Sequence, residues 1–184
     1  MLIILVGKSG CGKSTIEKNF EKMISFTTRK PREGEKHGKD YYFYERRTVE
    51  SEIPKFKQKE PTFIKQLSEY GGEYYGTSEE EVERIKQLND TVVAVMNLEG
   101  AKDMKEIMNN YGIEAKIVWV EIDEKLRIER MTNRMQDTGE SIEQIKERLN
   151  EDYRDVEKKE VDIIIENNGE LEEDIRKYKR RTYE

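Results

Sequence analysis

The sequence predicts an α/β fold built on a parallel five-stranded sheet with helices on both faces. Three observations predict it. Five short apolar runs, at 2–6, 23–26, 91–96, 115–122 and 161–165, alternate with stretches of helical periodicity. The first run ends in a glycine-rich turn that opens directly into a helical pattern. One segment, residues 27–77, interrupts the alternation with Pro, Gly and aromatic punctuation of its own.

Leu2, Ile3, Ile4, Leu5 and Val6 form an unbroken apolar run, the pattern of a strand buried on both faces. Gly7-Lys8-Ser9-Gly10-Cys11-Gly12-Lys13-Ser14 follows, with the spacing G-x-x-x-x-G-K-[ST], and Thr15 and Ile16 continue into a helix. The glycines permit backbone conformations that turn successive N–H groups toward phosphate oxygens, and the positive end of the new helix adds to them. Lys13 supplies a full charge for the β- and γ-phosphates, and the Ser14 hydroxyl is placed to ligate Mg²⁺. At average residue usage a chance match to this spacing is about a one per cent event in such a chain. The stretch from Gly7 to Thr15 therefore reads as a nucleoside-triphosphate site, with ATP and Mg²⁺ as its ligands.

After the loop, 15–22 reads as a short helix and 23–26 as a second strand. Residues 27–43 are basic, are broken by Pro31, Gly34 and Gly38, and end in Tyr41-Tyr42-Phe43, the pattern of a loop entering a hairpin. Thr62-Phe63-Ile64 and Tyr74-Tyr75-Gly76-Thr77 add strand-like pieces, so 27–77 reads as an insert of small antiparallel structure. Ser78 caps a helix over 79–88 that has acidic residues in its first turn. A β-branched strand at 91–96 precedes a helix over 100–111, and 115–122 is the next strand. Asp123 caps a helix running to about 135, with Ile128, Met131 and Met135 as its apolar stripe and Arg127, Arg130 and Arg134 on another face. Ser141 caps a long helix with Ile142, Ile145, Leu149, Tyr153 and Val156 inward; a buried strand at 161–165 and a helix over 171–178 follow. Ligands bind at the carboxyl ends of the strands in such a sheet, which is where the glycine-rich turn lies.

Composition narrows the function. At 184 residues the chain fits one domain with a sizeable core. Charged residues make up 40% and the net charge is −6, which argues against nucleic-acid binding as the main task and requires a local cationic cluster for any anionic nucleotide. Cys11 is the sole cysteine, so no internal disulfide forms, and a reducing, cytoplasmic setting fits. The simplest reading of Cys11 is a small side chain tolerated in the loop, and a redox switch is the alternative. His37 is the sole histidine, which excludes Ser-His-Asp chemistry and a multi-histidine metal site, and it reads as an exposed loop residue. No stretch approaches the roughly 18–20 apolar residues of a membrane span, and no basic leader precedes the first apolar run, so neither membrane nor export signal is expected.

Arg29 and Arg32, three apart in the basic loop, with Tyr41 beyond them, have the make-up of a second phosphate receptor or of an ordinary solvated loop. Here the chain resembles a family. Thr27-Thr28-Arg29-Lys30-Pro31-Arg32, Gly34-Glu35, Gly38-Lys39-Asp40-Tyr41 and Tyr74-Tyr75-Gly76-Thr77, together with the phosphate loop, are similar to guanylate kinases over most of the length. The resemblance implies a three-layer P-loop fold in one domain: a core of 1–26, 78–129 and 146–184, a monophosphate-binding insert at 27–77 and a helical lid at about 130–145. It implies transfer of the ATP γ-phosphoryl group to GMP or dGMP with Mg²⁺, in purine nucleotide metabolism. Carried over, Ser25, Arg29, Arg32, Tyr41 and Tyr75 hold the acceptor phosphate, Glu35 supports the arginines and Thr77 contacts the base. Arg130, Arg134 and Arg148 match the arginines that close on the triphosphate, beside Lys13. Asn167 matches an asparagine near the ATP base.

The chain also departs from that family. Lys65 and Gln66 stand where members carry a guanine-reading glutamate, and the spacing onward to Tyr74-Tyr75-Gly76 is one residue longer. Val95 and Asn97 replace two aspartates ahead of Gly100. The interval from Lys13 to Arg29 is shorter and the lid longer than in members. Gln66 is left as the base-reading candidate, because an amide can still pair with a base edge. Two further readings stay open: a P-loop kinase for another nucleotide or phosphorylated acceptor, and a non-catalytic binding module on the same fold. Oligomeric state is not readable from the residues.

Overall fold

All five side chains of Leu2–Val6, the first strand (β1), are buried, as an apolar run at the centre of a parallel sheet requires. The computed structural model describes residues 1–70, 72–88, 90–138 and 160–167. Among these, β1 is followed by α1 (Lys13–Glu17), β2 (Glu21–Lys22), β3 (Phe26–Thr27), β4 (Tyr42–Phe43), α2 (Arg46–Gln58), β5 (Ile64–Tyr70) and β6 (Glu73–Ser78). Then come α3 (Glu79–Gln87), β7 (Val92–Val95), α4 (Leu98–Asn110), β8 (Ala115–Glu121), α5 (Glu124–Thr138) and β9 (Ile163–Glu166). Five strands form one parallel sheet of order β2-β7-β1-β8-β9, the α/β architecture expected from the alternating pattern. Val118 pairs with Ile163 and Glu121 with Glu166 along β8 and β9. Asn167 N donates to Glu121 O at 2.8 Å, extending that ladder by one residue toward the glycine-rich turn.

The chain divides into two compact units. One comprises residues 1–2, 22–92 and 103–115 and contains a second sheet, of order β4-β3-β6-β5. Here β3 pairs with β6 and β5 with β6 in antiparallel fashion, but β3 and β4 run parallel, so the insert is mixed and not purely antiparallel. It also contains α2, which the sequence reading lacks. Charges dominate 46–58 and Pro54 sits inside the helix, masking the Val49, Ile53 and Phe56 stripe at helical spacing. That stripe packs with Ile24, Phe26, Tyr42 and Ile64 into one apolar cluster, rimmed by Tyr44, Phe63, Leu67 and Tyr74. Removing the fully buried Phe26 side chain from such a cluster would cost about 3–5 kcal/mol.

The other unit comprises residues 3–21, 93–102 and 116–184 and contains the glycine-rich turn, α1, β8, α5 and β9. Helix α1 is five residues long and stops where the sequence indicates more helix, the chain instead forming the two-residue β2. Residues 23–26 are not a strand of the parallel sheet: Phe26 begins β3, in the other sheet. Asp123 caps α5 as expected, its Oδ1 accepting from Lys125 N and Leu126 N at 3.0 and 3.2 Å. The apolar stripe of α5 is corrected at Ile128 alone; Met131 is buried as expected, and the side chain of Met135 lies outside the described residues. Ile128 is 49% exposed, whereas Met131 and the aliphatic stem of Arg127 pack on Gly10. The helices read at 142–156 and 171–178 lie outside the described residues.

Candidate active site

The glycine-rich turn depends on Gly12, whose φ of +93° is a left-handed conformation that a side chain resists. A Cβ there would also collide with the Asn167 amide, so glycine is required twice over. Lys13 opens α1, and its Nζ donates to Gly7 O at 2.6 Å and Lys8 O at 2.9 Å, with Cys11 Sγ at 3.5 Å. The ammonium is thereby held inside the loop by two carbonyls. Cys11 is buried beneath it, a free thiol. Ser9, Gly10, Gly12, Lys13, Ser14 and Thr15 line a cavity of about 550 Å³ with Arg130, Met131 and Asn167. Asn167 is fully buried, and its Nδ2 donates to Cys11 O at 2.8 Å, tying the end of β9 to the loop.

A pair that sequence reasoning missed braces the loop from α5. Arg127, 4% exposed, donates to Glu124 through Nε at 2.9 Å and Nη2 at 2.6 Å. The Arg127 guanidinium holds the Glu124 carboxyl below its usual range, and the charge of Lys8 contributes in the same direction. The signal available in the sequence was the i, i+3 Glu–Arg spacing, indistinguishable there from an exposed pair. The side chain of Arg134 and all of Arg148 lie outside the described residues.

The second constellation is built around Arg29, in the loop between β3 and β4. Its guanidinium is bidentate to Glu35, Nη1–Oε2 at 2.7 Å and Nη2–Oε1 at 2.6 Å, and Glu35 Oε2 also accepts from Arg32 N at 2.7 Å. Those bonds hold the Glu35 carboxyl down at about 2 and push the Arg29 guanidinium further up. Arg29 also lies over the Tyr41 ring, 5.1 Å from its centroid, and the Tyr41 and Tyr75 rings meet at 6.3 Å. The Arg32 side chain is exposed beside them. Ser25 is half-buried, and its carbonyl accepts from Tyr42 N at 2.9 Å. Arg29, Arg32, Glu35, Tyr41 and Tyr75 are therefore brought together. His37 is exposed, and its Nδ1 accepts from Phe43 N at 3.1 Å, which steadies the turn leading into β4.

Gln66 and Thr77 face each other across β5 and β6. A register shift falls between Ile64 and Gln66, so Lys65 is the extra residue of β5 against β6. Lys65 turns to Glu79 at 3.1 Å, to Thr62 O at 3.0 Å and to the Tyr111 ring. At Gly76 any Cβ would strike the Gln66 carbonyl and lie 2.6 Å from the Phe26 ring, so the strands close tightly here only with glycine. Two buried side-chain polar atoms have no partner among the described residues: Thr77 Oγ1 and Asn167 Oδ1.

A glycine-rich loop between a central parallel strand and a helix, with its lysine in the cradle, defines a P-loop nucleotide-binding protein. A family model described as guanylate kinase matches residues 1–182, and the chain belongs to that family of nucleoside monophosphate kinases. It is 34% identical over 166 residues to the guanylate kinase of Listeria monocytogenes serotype 4b (strain F2365), covering 85% of this chain and 75% of that protein. To the guanylate kinase of Prochlorococcus marinus (strain MIT 9312) it is 36% identical over 157 residues, 80% of this chain and 78% of that one. The crystal structure of guanylate kinase from Anaplasma phagocytophilum matches in fold, with a TM-score of 0.59 at 20% identity over 100% of this chain and 84% of that chain.

Proposed function

We propose that this chain is an ATP-dependent kinase that phosphorylates GMP and dGMP. The observation that carries the reading is the pair of orphaned buried atoms, Asn167 Oδ1 beside the phosphate loop and Thr77 Oγ1 in the β5–β6 hairpin. A buried polar atom without a partner costs about 1–3 kcal/mol, and native proteins keep few of them unless a ligand supplies the partner. Both residues carry expected nucleotide contacts, one for the donor and one for the acceptor.

Phosphoryl transfer asks little covalent chemistry of a protein; positioning and charge compensation do most of it. Gly7, Lys8, Ser9, Gly10, Cys11 and Gly12 would cradle the donor phosphates, with Lys13 released from the Gly7 and Lys8 carbonyls to meet the β- and γ-oxygens. Arg130, Arg134 and Arg148 would offset charge on the transferring group. Asn167 Oδ1 accepts only, which suits an N–H donor on the ATP base. Arg29, Arg32, Tyr41, Tyr75 and Ser25 would grip the acceptor phosphate, with Arg29 held ready by Glu35. Residues 27–77 would serve as the monophosphate-binding insert and about 130–145 as the lid, on a core of 1–26, 78–129 and 146–184.

The donor set suits Mg²⁺. Ser9, Ser14 and Thr15 bring hydroxyls to the cavity, and no group of three or more His, Cys, Asp or Glu able to hold a metal occurs among the described residues. Mg²⁺ commonly takes one or two protein ligands and fills its sphere with phosphate oxygens and water, so Ser14 would suffice as its protein ligand. Held there, the ion would supply positive charge to offset that on the donor phosphates. Among the described residues no helix is long and apolar enough to cross a membrane, and the single buried thiol supports a reducing, cytoplasmic setting.

The base is the less constrained half of the substrate. Gln66 opposite Thr77 offers an amide where a carboxylate would meet both N–H donors of guanine, and this favours a kinase of relaxed base choice as the second reading. Initial rates with ATP–Mg²⁺ across ribo- and deoxyribonucleoside monophosphates test both. GMP and dGMP should be the best acceptors, with AMP, IMP and pyrimidine monophosphates measurable. A different best acceptor overturns the guanine reading, and no turnover with any of them overturns the kinase reading.

A further inference from the structure

Glu81 is the only fully buried acidic side chain among the described residues, and it belongs to no part of the nucleotide machinery described above. The sequence places it in the first turn of α3, where a carboxylate is favourable simply by facing the helix N-terminus. The structure uses it differently. Glu81 Oε1 accepts from Ile24 N at 2.9 Å, and Oε2 accepts from the Tyr42 hydroxyl at 3.1 Å. Glu81 N itself donates to Ser78 Oγ at 3.3 Å, the cap of the helix. Arg84 closes the set with Nε on Oε2 and Nη2 on Oε1, both at 2.8 Å, and Nη2 also reaches Lys22 O at 2.8 Å. A buried carboxylate is tolerable only when paired and hydrogen-bonded, and this one is both.

The three segments it joins are the informative part. Ile24 precedes Ser25, Tyr42 follows Tyr41, and Ser78 follows Thr77. Each anchored residue is thus the chain neighbour of one assigned to the acceptor: two to its phosphate, one to its base. The segments are also tied to each other, since Tyr42 N donates to Ser25 O. We infer that Glu81 is a positioning residue of the acceptor site, a buried node whose carboxylate fixes the segments bearing Ser25 and Tyr41 against the start of α3, where Ser78 adjoins Thr77. The inference rests on the reading of those three as acceptor contacts. A carboxylate is required for it, because both oxygens are occupied by donors; a glutamine would present an NH₂ to two of them.

Two variants test this, Glu81→Gln and Tyr42→Phe, the second removing one spoke of the node without removing the charge or the packing. For each, the KM for GMP and for ATP, kcat, and GMP affinity by titration calorimetry are measured beside the melting temperature. Misplacement of contact groups by a fraction of an ångström is expected to raise the GMP KM about tenfold in Glu81→Gln, and less in Tyr42→Phe, with the ATP KM essentially unchanged. A lower melting temperature with an unchanged GMP KM, or equal rises in both KM values, overturns the inference. If Glu81→Gln does not fold, Tyr42→Phe alone decides it by the same criterion. Arg29→Ala separates failure of the acceptor site from failure of the node. If it leaves GMP affinity intact, the acceptor assignment itself falls. If it weakens GMP and the node variants do not, only the positioning role falls.

Discussion

Gln66 lies directly opposite Thr77 across the β5–β6 ladder, while its neighbour Lys65 drops into the register shift and turns to Glu79. Two adjacent residues that are equivalent candidates in the sequence thus have separate tasks. Gln66→Glu should therefore sharpen the preference for GMP over AMP by about tenfold, the value of turning one neutral hydrogen bond into a charge-assisted one. Lys65→Glu should leave that ratio near the wild-type value and lower the melting temperature, since it sets a like charge beside Glu79. Relative kcat/KM for the two acceptors checks both; a sharpened ratio in Lys65→Glu alone would reverse the assignment.

Lys13→Ala should reduce turnover by about a hundredfold or more while the protein stays folded, because a preorganised cation counts most where charge develops in the transition state. Its hydrogen bonds in this conformation go to the Gly7 and Lys8 carbonyls, which can be solvated once the side chain is gone. Stopped-time assays and circular dichroism on the same preparation check this, and near-normal turnover in a folded variant would contradict the kinase reading.

Gly12→Ala should lose stability and raise the KM for ATP together. The left-handed φ costs an L-residue about 1–2 kcal/mol, and the added methyl collides with the Asn167 amide that holds Cys11 O. Combining it with Asn167→Ala removes the collision but not the backbone strain. Melting temperature in the double variant should therefore remain below that of Asn167→Ala alone.

The Arg29–Glu35 pair carries a pH signature. Glu35 has its carboxyl lowered from 4.5 to about 2, chiefly by the Arg29 hydrogen bond and then by Arg32 N. A lowered carboxyl stabilises the fold fully above its unfolded value and progressively less as pH falls below it, toward the folded value. The difference in melting temperature between wild type and Glu35→Gln should thus be constant above pH 4.5 and shrink as the pH is taken down toward 2. A difference that shrinks instead between pH 6 and 8 would assign the linkage to another group.

Much of this protein is written in local pattern. The apolar run 2–6, the glycine spacing that follows it, the Ser78 cap of α3 and the apolar run of β8 depend on neighbours a few residues away. Periodicity and steric permission are visible there without any knowledge of the fold. The loop from Arg29 to Tyr41 was legible only in part: Arg29, Arg32 and Tyr41 lie close together in sequence, but the support of Arg29 by Glu35, six residues on, followed from the family resemblance alone.

What only the tertiary structure decided depends on partners far along the chain. Glu81 faces inward because Ile24 N and the Tyr42 hydroxyl, 57 and 39 residues away, need an acceptor. Arg127 is buried and Ile128 exposed, against the apolar stripe of α5, because Gly10 has no side chain and leaves room for the arginine stem. Helix α2 forms despite Pro54, because Val49, Ile53 and Phe56 have a sheet to bury against. The division of labour between Lys65 and Gln66 follows from the register that Gly76 allows against the Gln66 carbonyl and Phe26. Residue type and spacing specify which groups can bind phosphate, but burial and register are properties of contacts between distant segments, and these determine which of those groups is positioned to do so.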